Sequence, residues 1–275
     1  MDNHHQSAEL KYRLRRQASR FWKGRLISWY HKIGNVRVTD RISGDNVTYD
    51  PLTDIGNALF YSGAFEQKEL LLCRKYLSDQ SVVLDIGANI GLHSLYFSTV
   101  AHAGTVISFE PSLETFEFLA KNVKGKSNIS PLNVAVSSHG GLLNFFQASD
   151  NAYSSLIDTK RKSIVNVRRV ICMTVDDVVS GLQLPRVDFV KIDVEGLESS
   201  VLQGMEKVID KYNPVIFCEI YKGTASNPSP EETISFLTAR DYMVYVMQNG
   251  GLVKPEKHDD RLYNYLFLPK SMPQP

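Results

Sequence analysis

Val82-Val83-Leu84-Asp85-Ile86-Gly87-Ala88-Asn89-Ile90-Gly91 is the stretch from which the fold is read. An apolar run interrupted by one acid ends in a glycine-bearing turn, and residues 92–100 follow with a helical pattern. A short run of this kind, closed by a glycine turn, marks a buried strand feeding a helix. Gly87 and Gly91 reach backbone angles that side-chained residues avoid, so a ligand is expected to approach the main chain closely there. The helix beyond leaves free N–H groups at its first turn.

Working outward, strands and helices alternate. Residues 105–109 read as a second strand. Leu113, Phe116, Leu119, Ala120 and Val123 form the apolar stripe of a helix that ends near Gly125, and residues 132–136 read as a third strand. Residues 187–192 and 215–220 are further strands, with the helical stripe Leu197, Val201, Leu202, Met205 and Val208 between them. Residues 234–239 are predicted helical, and 242–247 and 262–268 close the sheet. Such alternation predicts an α/β domain, a mostly parallel sheet with helices on both faces. Ligands in such sheets bind beyond the carboxyl ends of the strands. Residues 141–175 break the alternation: 142–146 and 164–173 read as a small antiparallel insertion around a polar loop. Upstream, 36–38 and 47–49 read as a hairpin and 66–77 as a helix. Asp176-Asp177 is expected to begin another helix. The expected division is an arm and hairpin over residues 1–50 and one catalytic-type domain over 51–275.

The turn at 87–91 invites a dinucleotide reading, but that fingerprint is G-x-G-x-x-G. Asn89 stands at its second glycine, and the last glycine comes one residue early. An acid before the turn suits a positively charged ligand better than a pyrophosphate, and Asp85 is expected to face the amino group of an amino-acid moiety. Glu110 ends the second strand, 23 residues after Gly87. An acid at that place accepts both hydroxyls of a ribose.

Val83 through Gly91, Phe109-Glu110-Pro111, Asn133-Val134-Ala135-Val136 and Val190-Lys191-Ile192-Asp193-Val194-Glu195-Gly196 together resemble the FkbM-type methyltransferase family. Gly63-Ala64-Phe65-Glu66 resembles that family's entry segment. The resemblance covers roughly residues 45–222 and is most specific at Asp193-Val194-Glu195-Gly196. It implies a class I, Rossmann-like methyltransferase fold with a seven-stranded sheet, S-adenosylmethionine as donor, and O-methylation, often of sugars or polyketide-like products. It further implies Asp85, Gly87, Ala88, Asn89 and Gly91 around the methionine part of the donor, Glu110 and Pro111 at the ribose, and Asn133 and Val134 near the adenine. The common class I turn has glycine where Asn89 stands; asparagine tolerates left-handed backbone angles, so the loop can still form.

Methyl transfer from a sulfonium is a direct displacement, so the enzyme chiefly aligns the reacting atoms. A hydroxyl acceptor gains from a base that removes its proton. Lys191, Asp193 and Glu195 alternate along one strand and start on one side of the sheet. Glu219 ends the next strand, where it and Asp193 are expected to converge. Asp193 is the first choice of base and Glu195 the second, with Lys191 holding a carboxylate or lowering the hydroxyl's pKa. His93, in the first turn after the glycine loop, is the alternative base. Capping of the following helix is the competing role for Asp193 and Glu195. Two acids at adjacent strand ends also suit Mg²⁺, and Asp193 and Glu219 would be its ligands; no tight His/Asp/Glu cluster predicts one. Residues 151–155 are candidates for covering the acceptor, and Tyr221 for stacking on a sugar ring.

Composition narrows the partners. The formal net charge is +1, which gives the whole chain no general attraction to nucleic acid. Cys73, Cys172 and Cys218 form no C-x-x-C pair, so neither zinc nor a disulfide framework is indicated. No apolar run approaches the roughly 20 residues of a membrane span, and residues 1–5 begin no signal core. A cytoplasmic location is expected. Residues 11–32 carry eight Lys or Arg and no acid, with apolar residues at helical spacing. Such a helix suits peripheral contact with an anionic membrane, an acidic partner, self-association, or packing on its own domain. The leading function is therefore methylation of a hydroxyl on a glycan or small natural product. The alternatives are nucleic-acid or protein methylation, a non-catalytic scaffold, and an NAD-dependent oxidoreductase, which the missing third glycine disfavours.

Overall fold

A computed structural model describes residues 36–220, 230–248, 251–259 and 261–275. The basic segment 11–32 and Tyr221 lie outside the described residues. The chain opens with the hairpin β1 (Val36–Thr39) and β2 (Asn46–Tyr49), then helices α1 (Asp54–Ser62) and α2 (Gln67–Cys73). Helix α1 has no apolar stripe clear enough to announce it. Its ends are nonetheless marked: the Thr53 hydroxyl accepts from Gly56 N, and Gly63 closes it in the left-handed region.

The main sheet contains β3 (Val82–Ile86), β4 (Thr105–Phe109), β5 (Ile129–Leu132), β9 (Phe189–Ile192), β10 (Val215–Glu219), β11 (Tyr242–Gln248), β12 (Gly251–Val253) and β13 (Asn264–Pro269). Its order is β12-β11-β13-β10-β9-β3-β4-β5. Strands β5, β4, β3, β9 and β10 run parallel, and β13 lies antiparallel between β10 and β11. The chain builds outward from β3 to β5, then returns to β9 beside β3. The β3–β9 junction is thus the switch point, where such sheets open a crevice. Eight strands replace the expected seven, because β12 adds a three-residue hairpin edge to β11.

The predicted third strand, 132–136, divides in two. Its first part is the end of β5, an edge strand that tolerates Pro131 because no outer neighbour needs its N–H. Its second part, β6 (Ala135–Val136), leaves the main sheet and pairs with the insertion. Asn133 makes the break: its side-chain amide donates to the carbonyls of Glu110 and Pro111, at 2.8 and 3.2 Å. The insertion is a three-stranded sheet, β6-β8-β7, with β7 (Gly141–Ala148) and β8 (Ile164–Met173) antiparallel.

Strand residues alternate between two cores. Val83, Val106, Phe189, Val215 and Leu266 face one, with α3 (Leu92–Val100) and α4 (Leu113–Asn122) packed on it. Leu84, Ile107, Val190, Ile216 and Phe267 face the other, under α5 (Val175–Gly181), α6 (Glu198–Gln203), α7 (Glu206–Tyr212) and α8 (Pro230–Thr238). The helical stripe of 197–208 is cut into α6 and α7 at Gly204. The Gly204 carbonyl accepts from Asp176 N, and the Asp176 carboxylate in turn accepts from Lys207 N and Val208 N, at 3.2 and 3.0 Å. Asp176 therefore caps the start of α7 as well as lying in the first turn of α5. Among the described residues no helix is long and apolar enough to cross a membrane.

Candidate active site

The carboxyl ends of β4, β3, β9 and β10 carry the candidate site, and backbone hydrogen bonds continue past the strands to fix its loops. Gly87 N and Ala88 N donate to Phe109 O, Glu110 N to Leu132 O, and Asp193 N to Ile86 O. Gly87 has a φ of 78°, and a Cβ there would stand 1.8 Å from Asp193 O. The main chain that approaches Gly87 is thus the protein's own, from the neighbouring strand end. This corrects the expectation that a ligand's approach is what requires the glycine. Asn89 takes a left-handed φ of 50°, with its side-chain oxygen accepting from Ile90 N.

Two chambers meet over this turn. The first, about 580 Å³, has apolar walls that include Ile86, Phe109, Val134, Phe145 and Leu156, with Glu110 at its polar end. The second, about 970 Å³, is lined by Glu66, His93, Lys191 and Glu219 among others. Gly87, Asn89, Ala152, Asp193 and Glu195 border both. Residues 151–156 of the insertion roof the junction, and Ser155 Oγ donates to Val194 O at 2.9 Å.

Glu110 is buried. Its two oxygens accept from Asn89 N and Ser112 N, at 3.0 and 2.8 Å. A carboxylate has about four acceptor sites, so two remain for a ligand's paired hydroxyls. Burial pushes its pKa up to about 7 against those two N–H groups and Lys191.

Asp85 and Lys191 are register partners on adjacent strands, both buried on the same face. Asp85 Oδ2 accepts from Ser94 Oγ at 2.5 Å, and Oδ1 lies 3.6 Å from Lys191 Nζ. Lys191 Nζ donates to Gly87 O at 2.8 Å and contacts Asp193 at 3.3 Å. Burial opposes its charge, but Asp193, Asp85 and Glu66 outweigh burial and hold its pKa above the usual lysine value. Asp193 stays on the Lys191 side as alternation predicts. Glu195 turns away through a left-handed φ of 55° and pairs with Arg161 of the insertion. Burial, then Asp193, raise the Glu195 pKa to about 8 despite Arg161. Burial, then Asp193 and Glu66, raise Glu219 well above the carboxylate range.

The predicted residues thus separate into those that meet the cleft and those beneath it. Gly87, Ala88, Asn89, His93, Glu110, Pro111, Val134, Lys191, Asp193, Glu195 and Glu219 line one or both chambers. Asp85, Gly91 and Asn133 line neither. Asp85 is wholly buried under the floor, Gly91 packs on Leu119, and Asn133 braces the Glu110 loop from behind. Asp193 and Glu219 share the second chamber, but among the described residues no group of three His, Cys, Asp or Glu is placed to hold a metal ion. Sequence reading assigned no role to Glu66, Arg161 or Glu198. Glu198 is buried and accepts from Gly196 N at 2.8 Å, and burial pushes its pKa up to about 7. Glu66 carries only the resemblance of Gly63-Ala64-Phe65-Glu66 to the family's entry segment, and nothing in the local pattern distinguishes Arg161 or Glu198 from surface charges.

The strand order, with β13 reversed between β10 and β11 and a glycine turn at the switch point, defines a class I methyltransferase fold. The chain belongs to the FkbM methyltransferase family: the Methyltransferase FkbM domain matches residues 85–244. It is 31% identical over 159 residues to the hexuronic acid methyltransferase AglP of Haloferax volcanii, covering 58% of this chain and 63% of that protein. That match therefore spans less than two thirds of the relative's length. It is 24% identical over 252 residues to the methyltransferase sdnD of Sordaria araneosa, covering 79% of this chain and 96% of that one. Among solved structures, the methyltransferase FkbM from Methylobacillus flagellatus aligns with a TM-score of 0.47 at 16% identity, over 70% of this chain and 44% of that chain.

Proposed function

We propose that this protein is an S-adenosylmethionine-dependent O-methyltransferase whose acceptor is a hydroxyl of a sugar, glycan or other small natural product. The observation that carries the reading is the pair of chambers meeting at Asp193 and Glu195. One has Phe109, Val134 and Phe145 in its wall together with Glu110; the other is rich in carboxylates. The donor set fits the cofactor. Apolar walls around Val134 and Phe109 suit an adenine, the two open acceptor sites of Glu110 suit ribose hydroxyls, and the acid-rich junction suits a sulfonium. Bound, the cofactor supplies an electrophilic methyl group. The relative named a hexuronic acid methyltransferase supports a carbohydrate acceptor.

Asp193 is the proposed base. Asp193, Glu195 and Glu219 crowd one chamber, and like charges at close quarters cannot all ionise. Glu219, pushed well above the carboxylate range by burial and by Asp193, Glu66 and Glu195 beside it, holds its proton and donates to the acceptor. Glu195 is engaged by Arg161. Asp193 then accepts the acceptor's proton, and Lys191 behind it balances its charge. Calorimetry should show binding of S-adenosylhomocysteine and little binding of NAD; the reverse preference ends this reading. Asp193→Asn should keep cofactor affinity and lose roughly 100- to 10,000-fold in turnover. Unchanged turnover would remove Asp193 from the role of base.

A further inference from the structure

Asp85, the acid expected at the amino-acid end of the donor, is shut off from both chambers. It is fully buried, with one oxygen on Ser94 and the other facing Lys191. On the donor reading above, a ligand with its ribose at Glu110 and its adenine against Phe109 and Val134 would extend its amino-acid arm across the junction into the second chamber. The arm's ammonium needs a carboxylate there.

Most of the acids that face this chamber are committed elsewhere. Asp54 accepts from the Tyr153 hydroxyl at 2.8 Å and lies 3.4 Å from Lys162. Asp193 sits against Lys191 and Glu195 against Arg161. Glu219 is raised well above the carboxylate range. Glu66 differs. It enters from the turn before α2 and lines the chamber together with Ala88, Ile90 and His93, paired with a histidine ring rather than a lysine or arginine head. Its Oε2 lies 3.0 Å from His93 Nε2. The His93 ring is itself held by Phe65 and Phe97, with centroids 6.3 and 6.1 Å away. Glu66 also keeps a left-handed φ of 48°, a conformation that costs a side-chained residue of order 1 kcal/mol and recurs at functional sites.

We propose that Glu66 binds the ammonium of the donor's amino-acid end, with His93 as the positioning residue that fixes its carboxylate. The assignment rests on the donor reading above. Burial, the largest influence on Glu66, pushes its pKa up, but His93 and Lys191 reverse this and leave it below the usual carboxylate value. It is therefore an anion over the working range, as a partner for an ammonium must be.

Two probes separate this from a general effect on the site: S-adenosylhomocysteine carries the amino-acid arm, and 5′-methylthioadenosine lacks it. Calorimetry on the full chain should show Glu66→Gln weakening S-adenosylhomocysteine on the order of 10- to 100-fold, the loss of one charge-assisted hydrogen bond. Methylthioadenosine should bind Glu66→Gln and wild type alike, and Glu66→Asp should recover part of the lost affinity. The assignment is overturned if Glu66→Gln binds S-adenosylhomocysteine as wild type does, or if both variants lose both ligands equally. A wild-type protein that binds neither ligand overturns the donor reading itself.

Discussion

At Gly87 and Glu110, the identity of one residue decides whether the cleft can form. Adding one methyl at Gly87 drives a Cβ into Asp193 O, a backbone atom that cannot swing aside as a side-chain end can. Gly87→Ala should therefore lower the thermal midpoint by several degrees and weaken cofactor binding at once, as followed by circular dichroism and calorimetry. Glu110 makes a prediction in pH. Its folded-state pKa is raised to about 7, so the free protein carries a proton there below that pH. Ribose hydroxyls donate to the ionised form, so binding releases the proton. Affinity for S-adenosylhomocysteine should accordingly rise by about tenfold per pH unit up to pH 7 and level off above it. Glu110→Gln should bind weakly and without this slope; a wild-type slope in the variant would refute the assignment. Glu110 was legible from its place at a strand end. Glu66 was not, because an acid opening a short helix looks locally like any N-terminal acid.

The elements show where periodicity reads well and where it stops. Continuous apolar runs located β3, β4, β9 and β10, because parallel strands buried on both faces are predominantly apolar, with Asp85, Ser108 and Lys191 as the buried exceptions. The same criterion merged β5 with β6, since an apolar run carries no mark of the sheet to which it pairs. Asn133 is expected from the sequence near an adenine, yet it lines neither chamber; its amide instead anchors the turn between the two sheets, a role the local pattern does not record. Asp176 was read as the start of α5, and it also caps α7, 31 residues away. Asp176→Ala should cost about 1–2 kcal/mol in urea denaturation while leaving turnover near wild type. A loss in turnover larger than the loss in stability would mean that the α5–α7 join reaches the site.

For the whole molecule, one sheet divides the interior into two apolar layers. Val83 and Leu84 are adjacent in sequence and wholly buried, but they lie in different layers. Replacement of either by alanine should destabilise by about 1–5 kcal/mol. If the sheet couples the layers, near- and far-ultraviolet circular dichroism should report one coincident transition in both variants. Separate transitions in either would show layers that unfold independently. The site depends on the same sheet. Lys191 and Glu219 meet because parallel strands end together on one edge, and Glu66, from the turn before α2, and Arg161, from the insertion, line the same chamber over that edge.

The sequence by itself determined the α/β class, the glycine turn at the switch point, the family, and the acids at the strand ends. These are written in local spacing, which obeys the periods of strand and helix. Only the tertiary structure decided that Asp85 lies beneath the floor while Glu66 faces the cleft, and that Arg161 reaches Glu195. It also decided that Gly87 makes room for Asp193. Exposure and charge pairing depend on which surfaces the folded chain brings together, and no local pattern records that.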